Sequence, residues 1–361
     1  MDQEARDLNI RIFMTFRAMP EDLLERNEYI KKRVAFVYHY PSSSWRPSFV
    51  EQDIEIISRH FDCSIVNFRG AGDAGKIAKL VIRSDIIFSW FVSGHSFVAV
   101  ALSKLLGKKS VVVAGGYDVA NAPEIDYGQY ARGWMSRKRA DFVLKNADLI
   151  LAVSDFTRSE AMVRAGPNRI EVVYNAVDIN KFRPPDSSKV RENLAVTVAS
   201  GLGDIIILKG LKAFIEAAAL LPQVTFAILG LTDENRKAIK GMIKSNNVEL
   251  MGYMSQQDLL AYYQRAKVFC QLSYRESFGM ATAEAMACGC IPVVTDRGAL
   301  PEVVGDSGHY VPYGDAALTA KAIEKALSSG KNIDVRAQIK NKFSLDLREA
   351  RMINLLRSLI E

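Results

Sequence analysis

The sequence has few of the features that mark a disulfide-stapled, metal-binding or membrane-spanning protein. It has four cysteines, and only Cys288 and Cys290 stand close together, without a second cysteine or histidine pair at ligand spacing. Small core and turn residues explain them better than a metal site, and a reduced, cytoplasmic protein is expected. No apolar run reaches the roughly eighteen residues of a membrane-spanning helix. Residues 1–33 carry acids throughout and do not resemble a signal peptide.

The sequence also lacks the charge pattern of a nucleic-acid-binding protein. The net charge is +6, from 47 lysines and arginines against 41 aspartates and glutamates, which favours anionic partners only mildly. A nucleic-acid-binding protein would carry a basic stripe with interleaved aromatic residues. We therefore predict no nucleic-acid partner.

The chain does have a regular alternation of apolar strands and amphipathic helices. β-branched apolar runs occupy residues 34–40, 62–68, 86–91, 110–116, 149–154 and 170–177. After a proline- and serine-containing break, they resume at 194–200, 224–230, 248–252, 268–273, 291–296 and 309–312. Near-continuous apolar strands alternating with helices predict parallel sheets covered on both faces.

The break predicts two doubly wound α/β domains of Rossmann type that face each other across a cleft. We predict a helical N-terminal extension over residues 1–33, a first domain over 34–180, a linker over 181–193 and a second domain over 194–342. The amphipathic segment 343–361 is expected to form a helix that completes the first domain. Ligands of such folds bind at the carboxyl ends of the strands, which places the site in the cleft.

The segment SYRESFGMATAEAMACGCIPVVTD, residues 273–296, contains two glutamates eight positions apart, Glu276 and Glu284. Good helix formers run from about Ser277 to Gly289, so a helix is predicted there. Free amides at a helix start favour an anion, and carboxylates suit hydroxyl groups. A nucleotide-diphosphate sugar offers both kinds of group. Two surface charges explain the glutamates equally well on these grounds alone.

This segment and its continuation to residue 315 resemble the donor site of retaining glycosyltransferases of family 4, which have the two-domain GT-B fold. The matching features are two glutamates separated by seven residues, the run EAMACG followed by PVV, and a turn containing PE. Weaker matches, such as ADLILAVSDFTRSE and VVYNAVDINKFRP, extend the resemblance from about residue 34 to the end. The resemblance favours the ligand interpretation of the glutamates.

The resemblance also implies roles for single residues. Glu276 would contact the hydroxyl groups of the donor sugar, and Glu284 the ribose. Lys209 would neutralise the diphosphate, unless it is a solvent-facing lysine. The residues that would cradle the sugar, the phosphate and the base are Ser277, Phe278, Gly279, Met280 and Met254.

Several positions depart from the family pattern. Asp204 stands where an arginine commonly shares the diphosphate, which weakens the predicted phosphate site. Segment 40–48 replaces a glycine-rich loop. Its Arg46 could reach an anion, and its Trp45 is either a ligand contact or a packed aromatic residue.

At the end of the fourth strand, Gly115 replaces a histidine. Gly116 next to it allows close approach of the backbone to a ligand. Asp118 is retained, and it either anchors the sugar or acceptor or caps a helix. His95 could supply an imidazole, although a place at a helix start explains it more simply.

The resemblance implies a retaining glycosyltransferase that moves a sugar from a UDP- or GDP-sugar to a hydroxyl group of a carbohydrate or lipid-linked acceptor. Lys209 and helix amides would stabilise the leaving diphosphate, so no metal or other cofactor is expected. The departures keep open a non-catalytic sugar-nucleotide or membrane-docking protein. A sugar-nucleotide epimerase or a phosphorylase of the same fold is a further alternative, although no acid/base or pyridoxal-lysine motif is visible.

The one dense basic cluster is RGWMSRKR, residues 132–139, which gathers Arg132, Arg137, Lys138 and Arg139 around Trp134. A solvated helix face is the simplest explanation. The alternative is peripheral docking on an anionic membrane, at the inner face of the cell membrane, beside a lipid-linked acceptor.

Overall fold

Two parallel β-sheets of six strands each organise the chain. The structure is a computed structural model that describes residues 31–40, 47–166, 168–186, 190–200, 204–329 and 334–361. The first sheet contains β1 (Arg33–Tyr38), β2 (Asp62–Asn67), β3 (Ile86–Trp90), β4 (Lys109–Ala114), β5 (Leu149–Ala152) and β6 (Ile170–Val172). The second contains β7 (Glu192–Val198), β8 (Thr225–Leu229), β9 (Val248–Leu250), β10 (Ala266–Gln271), β11 (Ile291–Thr295) and β12 (His309–Val311).

Every strand overlaps a predicted apolar run, and all strand pairs are parallel, which confirms the predicted α/β class. The central strands β3, β4 and β5 are buried along their whole length or nearly so. This burial requires helices on both faces, because a continuous apolar strand has no polar side to turn to water. The predicted sixth run is too long, since β6 already ends at Val172.

Helices connect the strands in both parts of the chain. Those before β7 are α1 (Ser48–His60), α2 (Ala74–Arg83), α3 (Gly94–Leu105), α4 (Trp134–Asn146) and α5 (Asp155–Ala165). Those after it are α6 (Ile205–Leu208), α7 (Leu211–Leu220), α8 (Asp233–Lys240), α9 (Gln256–Arg265), α10 (Met280–Ala287), α11 (Leu300–Val304), α12 (Ala316–Ser328), α13 (Val335–Lys342) and α14 (Leu345–Arg357). We call residues 31–177 with α14 the first unit, and residues 190–342 the second unit.

The strand order shows where each sheet can bind a ligand. The first sheet has the order β2-β1-β3-β4-β5-β6, and the second has the order β12-β11-β10-β7-β8-β9. In the second sheet the order reverses between β7 and β10, so the loops that follow these two strands diverge and leave a crevice. The predicted residues Lys209 and Glu276 follow β7 and β10 respectively.

The last helix joins the first unit through a buried ion pair. Arg348 of α14 binds Asp53 of α1 with two hydrogen bonds of 2.7 Å, and the Trp90 indole donates to the same carboxylate. Arg348 also donates to the carbonyls of Val173 and Tyr174. A buried guanidinium needs such partners, because an unpaired buried charge is strongly destabilising.

Some predictions fall where the structure gives no description. Residues 1–30 of the predicted N-terminal extension lie outside the described residues, as do residues 41–46 with Trp45 and Arg46. The domain limits stay predictions.

Candidate functional site

A cleft of about 250 Å³ lies between the two units at the strand ends. The predicted residues that line it are Lys209, Glu276, Ser277, Phe278, Gly279 and Met280. The first unit contributes Phe49, Gly115, Tyr127 and Asn175. Two larger cavities, of about 330 and 450 Å³, contain none of the predicted residues. The switch point of the second sheet makes the smaller cleft the candidate site.

Glu276 and Lys209 form the centre of this site. The Lys209 ammonium lies 2.5 Å from Glu276 Oε1, and both side chains are mostly buried. Ser273 and the Gln271 amide donate to the same oxygen at 3.0 and 3.1 Å. In the described part of the chain, every donor to this carboxylate reaches Oε1. The second oxygen is thus left to accept from a ligand.

A hydrogen bond from the end of β11 fixes the loop after β10. The Thr295 hydroxyl donates to the Ser273 carbonyl at 2.7 Å, which fixes the residue whose side chain supports Glu276. Polar residues at the end of a buried strand are costly without such partners. Gln271 and Ser273 were not among the predicted site residues, although polar residues at the end of the apolar run VFCQLS are a local signal for them.

Helix α10 begins directly after this loop, as predicted for the segment that follows Glu276. Gly279 precedes the helix with a φ of 94°, in the left-handed region that favours glycine. Ser277 presents its carbonyl to the first unit, where the hydroxyls of Ser154 and Thr157 donate to it at 2.6 and 3.3 Å. The start of α10 is therefore fixed by contacts with both units.

Gly116 lets the two units approach each other closely. Its φ is 117°, and a Cβ atom there would lie 1.8 Å from the Ser277 Oγ. Any side chain at this position would push the two units apart. In the structure the close neighbour of Gly116 is thus Ser277. The predicted close approach of a ligand stays a prediction.

Asp118 lies behind this glycine turn and does not line the cleft. It is only 2% exposed, and its carboxylate accepts from the amides of Val92 and Gly116 at 2.6 and 2.7 Å. A third amide, that of Gly115, donates at 3.2 Å. Burial raises the pKa of Asp118, and these amides oppose the shift. The structure makes it a positioning residue for residues 115–116, and a direct ligand contact stays a prediction.

Lys209 owes its position to two neighbours. Asp204, which occupies the place of the expected arginine, caps the short helix α6 by accepting from the amides of Ile206 and Ile207. Gly210 then turns the chain with a φ of 63°, where a Cβ atom would lie 2.0 Å from the Leu272 carbonyl oxygen. This turn directs the chain from α6 into α7 next to the end of β10.

Glu284 lies in α10 and is only 8% exposed. Burial raises its pKa to about 8, and the Lys181 ammonium and the Tyr263 hydroxyl oppose the shift. It does not line the cleft described above, and neither does Met254, which is half-buried. The structure therefore brings six of the predicted residues together in the cleft lining. It places four outside that lining: Glu284, Met254, Asp118 and Gly116.

His95 is in the first turn of α3, as its sequence position indicated. It is buried, its Nε2 donates to the Trp90 carbonyl at 2.5 Å, and its Nδ1 accepts from the Ser93 hydroxyl at 2.7 Å. Burial lowers its pKa to about 4, so the ring is neutral near pH 7. Both nitrogens are occupied within the fold.

The two units are joined beside the cleft at the N-terminus of α5. Glu302 of the second unit accepts from the amides of Asp155 and Phe156, both at 2.8 Å. Arg275, the residue before Glu276, pairs with Glu160 of α5 through both terminal nitrogen atoms of its guanidinium group. A carboxylate of the second unit thus caps α5 of the first unit, where the helix dipole favours negative charge.

The described residues contain no cluster of three or more histidines, cysteines, aspartates or glutamates arranged to hold a metal ion. Among the helices of those same residues, none is long and apolar enough to cross a membrane.

Two family models match consecutive parts of the chain. The model of glycosyltransferase family 4 matches residues 3–181, and that of glycosyl transferases group 1 matches residues 183–343. Together with the two parallel sheets, these matches identify the GT-B fold of glycosyltransferases, as predicted. Within that class, the chain belongs to glycosyltransferase family 4.

Curated relatives include D-inositol 3-phosphate glycosyltransferases. That of Mycobacterium sp. (strain JLS) is 30% identical over 215 residues, covering 55% of this chain and 49% of the relative. That of Mycobacterium bovis is 33% identical over 190 residues, covering 47% of this chain and 40% of the relative. The chain thus spans about half the length of the curated relatives that it matches.

Solved structures show the same fold at low identity. Sucrose-phosphate synthase from Thermosynechococcus elongatus has a TM-score of 0.72 and 17% identity, covering 91% of this chain and 99% of that one. HepE from Anabaena in complex with UDP-glucose has a TM-score of 0.71 and 19% identity, covering 90% and 99%.

Proposed function

We propose that this protein transfers a sugar, with retention of anomeric configuration, from a nucleotide-diphosphate sugar to an acceptor hydroxyl. The observation that carries this proposal is the Lys209–Glu276 pair at the switch point of the second sheet, 2.5 Å apart and facing the cleft. The ammonium matches a diphosphate, and the free carboxylate oxygen matches a sugar hydroxyl.

In this proposal, donor binding reorganises the pair. The diphosphate takes over the Lys209 ammonium, and Glu276 accepts from the hydroxyls of the sugar. The acceptor hydroxyl attacks from the side on which the diphosphate leaves, and its proton passes to the departing phosphate oxygen. Lys209 and the amides at the start of α10 stabilise the charge that develops there, so no metal ion is required.

The donor is a UDP- or GDP-sugar, and UDP-glucose is the first to test because HepE, a protein of the same fold, binds it. The acceptor is a carbohydrate or a lipid-linked intermediate. The D-inositol 3-phosphate acceptor in the names of the curated relatives supports a polyhydroxylated acceptor.

The basic cluster of residues 132–139 supports a lipid-linked acceptor reached by peripheral contact with an anionic membrane. The cluster spans the start of α4. Trp134 is 66% exposed there, and the Lys138 ammonium lies 5.0 Å from the centre of the Trp134 ring. An anionic surface would attract these cations.

The test is a donor panel of UDP-, GDP- and ADP-sugars, with nucleotide release as the measured product. One active donor, with transfer lost in Glu276→Ala, would support the proposal, since each lost charge-assisted hydrogen bond costs about 1.5–3 kcal/mol, or at least about tenfold in rate. Glu324→Ala, on the exposed face of α12, is the matched control and should keep the parent rate.

A second candidate is a non-catalytic sugar-nucleotide-binding protein, which Asp204 in the place of the expected arginine favours. Calorimetry separates the two candidates. Nucleotide-sugar binding without release of nucleotide, in the presence of varied acceptors, would exclude the transferase and support the binding protein.

A further inference from the structure

The first-unit side of the cleft carries two uncharged polar side chains to which no described residue offers a side-chain hydrogen bond. Asn175 is 6% exposed and lines the cleft, and its buried amide oxygen Oδ1 accepts no hydrogen bond from any described residue. Burying an amide in this way costs free energy unless something completes its hydrogen bonds. The missing partner is therefore expected to be a ligand.

Tyr127 is the second of these groups. Its backbone is fixed by two hydrogen bonds of 3.0 Å to Ala122, and its ring packs edge-on against Tyr117 with centroids 5.1 Å apart. Burial raises the pKa of its hydroxyl, and the nearby Glu276 carboxylate raises it further. Among the described residues, none hydrogen-bonds to this hydroxyl. A rigid phenol group thus faces the donor side of the cleft.

Phe49 also lines this cleft from the first unit. Its ring packs against the Trp90 ring, with the ring centroids 4.7 Å apart. An apolar ring beside two neutral hydrogen-bonding groups suits a molecule that has hydroxyl groups on an apolar frame. Sugars and cyclic polyols are such molecules.

We infer that Tyr127 and Asn175 bind the hydroxyl groups of the acceptor and determine its specificity for an uncharged sugar or polyol ring. The inference rests on the proposed function, in which Lys209, Glu276 and the start of α10 hold the donor. All these donor groups belong to the second unit, whereas Tyr127 and Asn175 face them from the first. Their position across the cleft assigns them to the acceptor.

The test uses the donor that the panel identifies, with UDP-glucose as the first probe. The acceptor probes are uncharged glucose, galactose and myo-inositol, and charged glucose 6-phosphate and D-inositol 3-phosphate. We expect an uncharged probe to accelerate nucleotide release. Tyr127→Phe and Asn175→Ala should each raise the KM of that probe about two- to tenfold, the loss expected for one hydrogen bond between uncharged groups.

The control variants remove a tyrosine hydroxyl and an asparagine amide at positions that do not line the cleft. Tyr310→Phe, on β12, and Asn354→Ala, on the exposed face of α14, should leave the acceptor KM unchanged. UDP affinity, measured by calorimetry, should be the same in parent, Tyr127→Phe and Asn175→Ala. The melting temperature of Asn175→Ala should not fall markedly, because no described residue hydrogen-bonds to its buried amide oxygen.

The outcomes separate this inference from the proposed function. If the parent releases nucleotide from no donor, the proposed function fails and the inference with it. If the parent transfers sugar but both variants keep the parent KM, or only charged probes are accepted, the inference alone is overturned. Equal loss of UDP affinity would assign the residues to the donor instead. Failure of every uncharged probe to bind in the presence of UDP would also overturn it.

Discussion

Glu284 shows how the environment of one residue changes the chemistry of its side chain. A carboxyl group is ordinarily ionised near pH 7, but burial in α10 raises the pKa of Glu284 from 4.5 to about 8. Lys181, Tyr263 and Cys288 face it, and only Lys181 carries a charge that favours the ionised form. Near pH 7 the free protein therefore holds Glu284 mostly protonated.

This shift predicts a stability that falls as the pH rises. Between pH 4.5 and about 8 the folded protein keeps a proton that the unfolded chain has released, so the unfolded state is favoured increasingly. The free energy of unfolding should decrease on the order of a few kcal/mol over this window. Urea denaturation at several pH values should show that Glu284→Gln loses most of this slope, whereas an unchanged slope would contradict the burial argument.

The predicted ribose role of Glu284 makes nucleotide binding pH-dependent in the opposite sense. A carboxylate that accepts from ribose hydroxyls must be ionised, so UDP or GDP affinity should increase as the pH rises through about 8. Calorimetry should show this increase in the parent and not in Glu284→Gln, which should also bind more weakly at high pH. Equal affinity of parent and variant throughout would refute the ribose contact.

At the scale of elements, helix α5 of the first unit contacts the second unit at the start of α10. Its first amides are capped by Glu302, its preceding residue Ser154 donates to Ser277, and its Glu160 pairs with Arg275. Both Ser277 and Arg275 flank Glu276. The position of the candidate catalytic carboxylate thus depends on a helix of the other unit.

We expect Glu302→Ala to loosen this junction, because two charge-assisted hydrogen bonds to α5 are lost, each worth about 1.5–3 kcal/mol. Small-angle scattering should show a larger radius of gyration, and the transfer rate should fall at least about tenfold. UDP affinity should change less, since no residue of the ribose or diphosphate sites is altered. Glu234→Ala, exposed on α8, is the control. A compact, fully active Glu302→Ala protein would contradict the role of this cap.

At the scale of the whole molecule, the cleft and the basic cluster both involve the first unit. If the acceptor is lipid-linked, the first unit must meet the membrane while the second unit brings the donor. The exposed Trp134 and Met135, with the surrounding cations, are the surface of the first unit suited to that contact.

We therefore expect the protein to sediment with anionic vesicles and not with neutral ones at low salt. Each surface cation contributes about 1 kcal/mol near anionic lipid, and salt screens this attraction. Replacing Arg132, Arg137, Lys138 and Arg139 by serine should abolish sedimentation. A second variant, with Lys212, Lys237, Lys240 and Lys321 replaced by serine, has the same net charge and should still sediment. If the parent ignores anionic vesicles, the cluster is a solvated helix face.

Local sequence determined the elements and part of the site. The alternation of apolar runs predicted all twelve strands, because burial on both faces leaves a continuous apolar signature. The stretch from Glu276 to Met280 was predictable because its strand end, loop and helix start are consecutive in the chain. All five of its residues line the cleft, although contacts with α5 of the first unit fix their position.

Only the tertiary structure decided which distant side chains meet. Glu276 binds Lys209, 67 positions away, and Arg348 binds Asp53, 295 positions away. Glu302, in the PE turn, was visible as a motif, but its function as the cap of α5 was not. Tyr127 and Asn175 had no predicted role, since neither a tyrosine in a loop nor an asparagine within the segment VVYNAVDINKFRP indicates a side chain that faces the cleft. Periodicity and propensity act over a few neighbouring residues, whereas these contacts arise only when distant elements pack together, within each unit and between the two units.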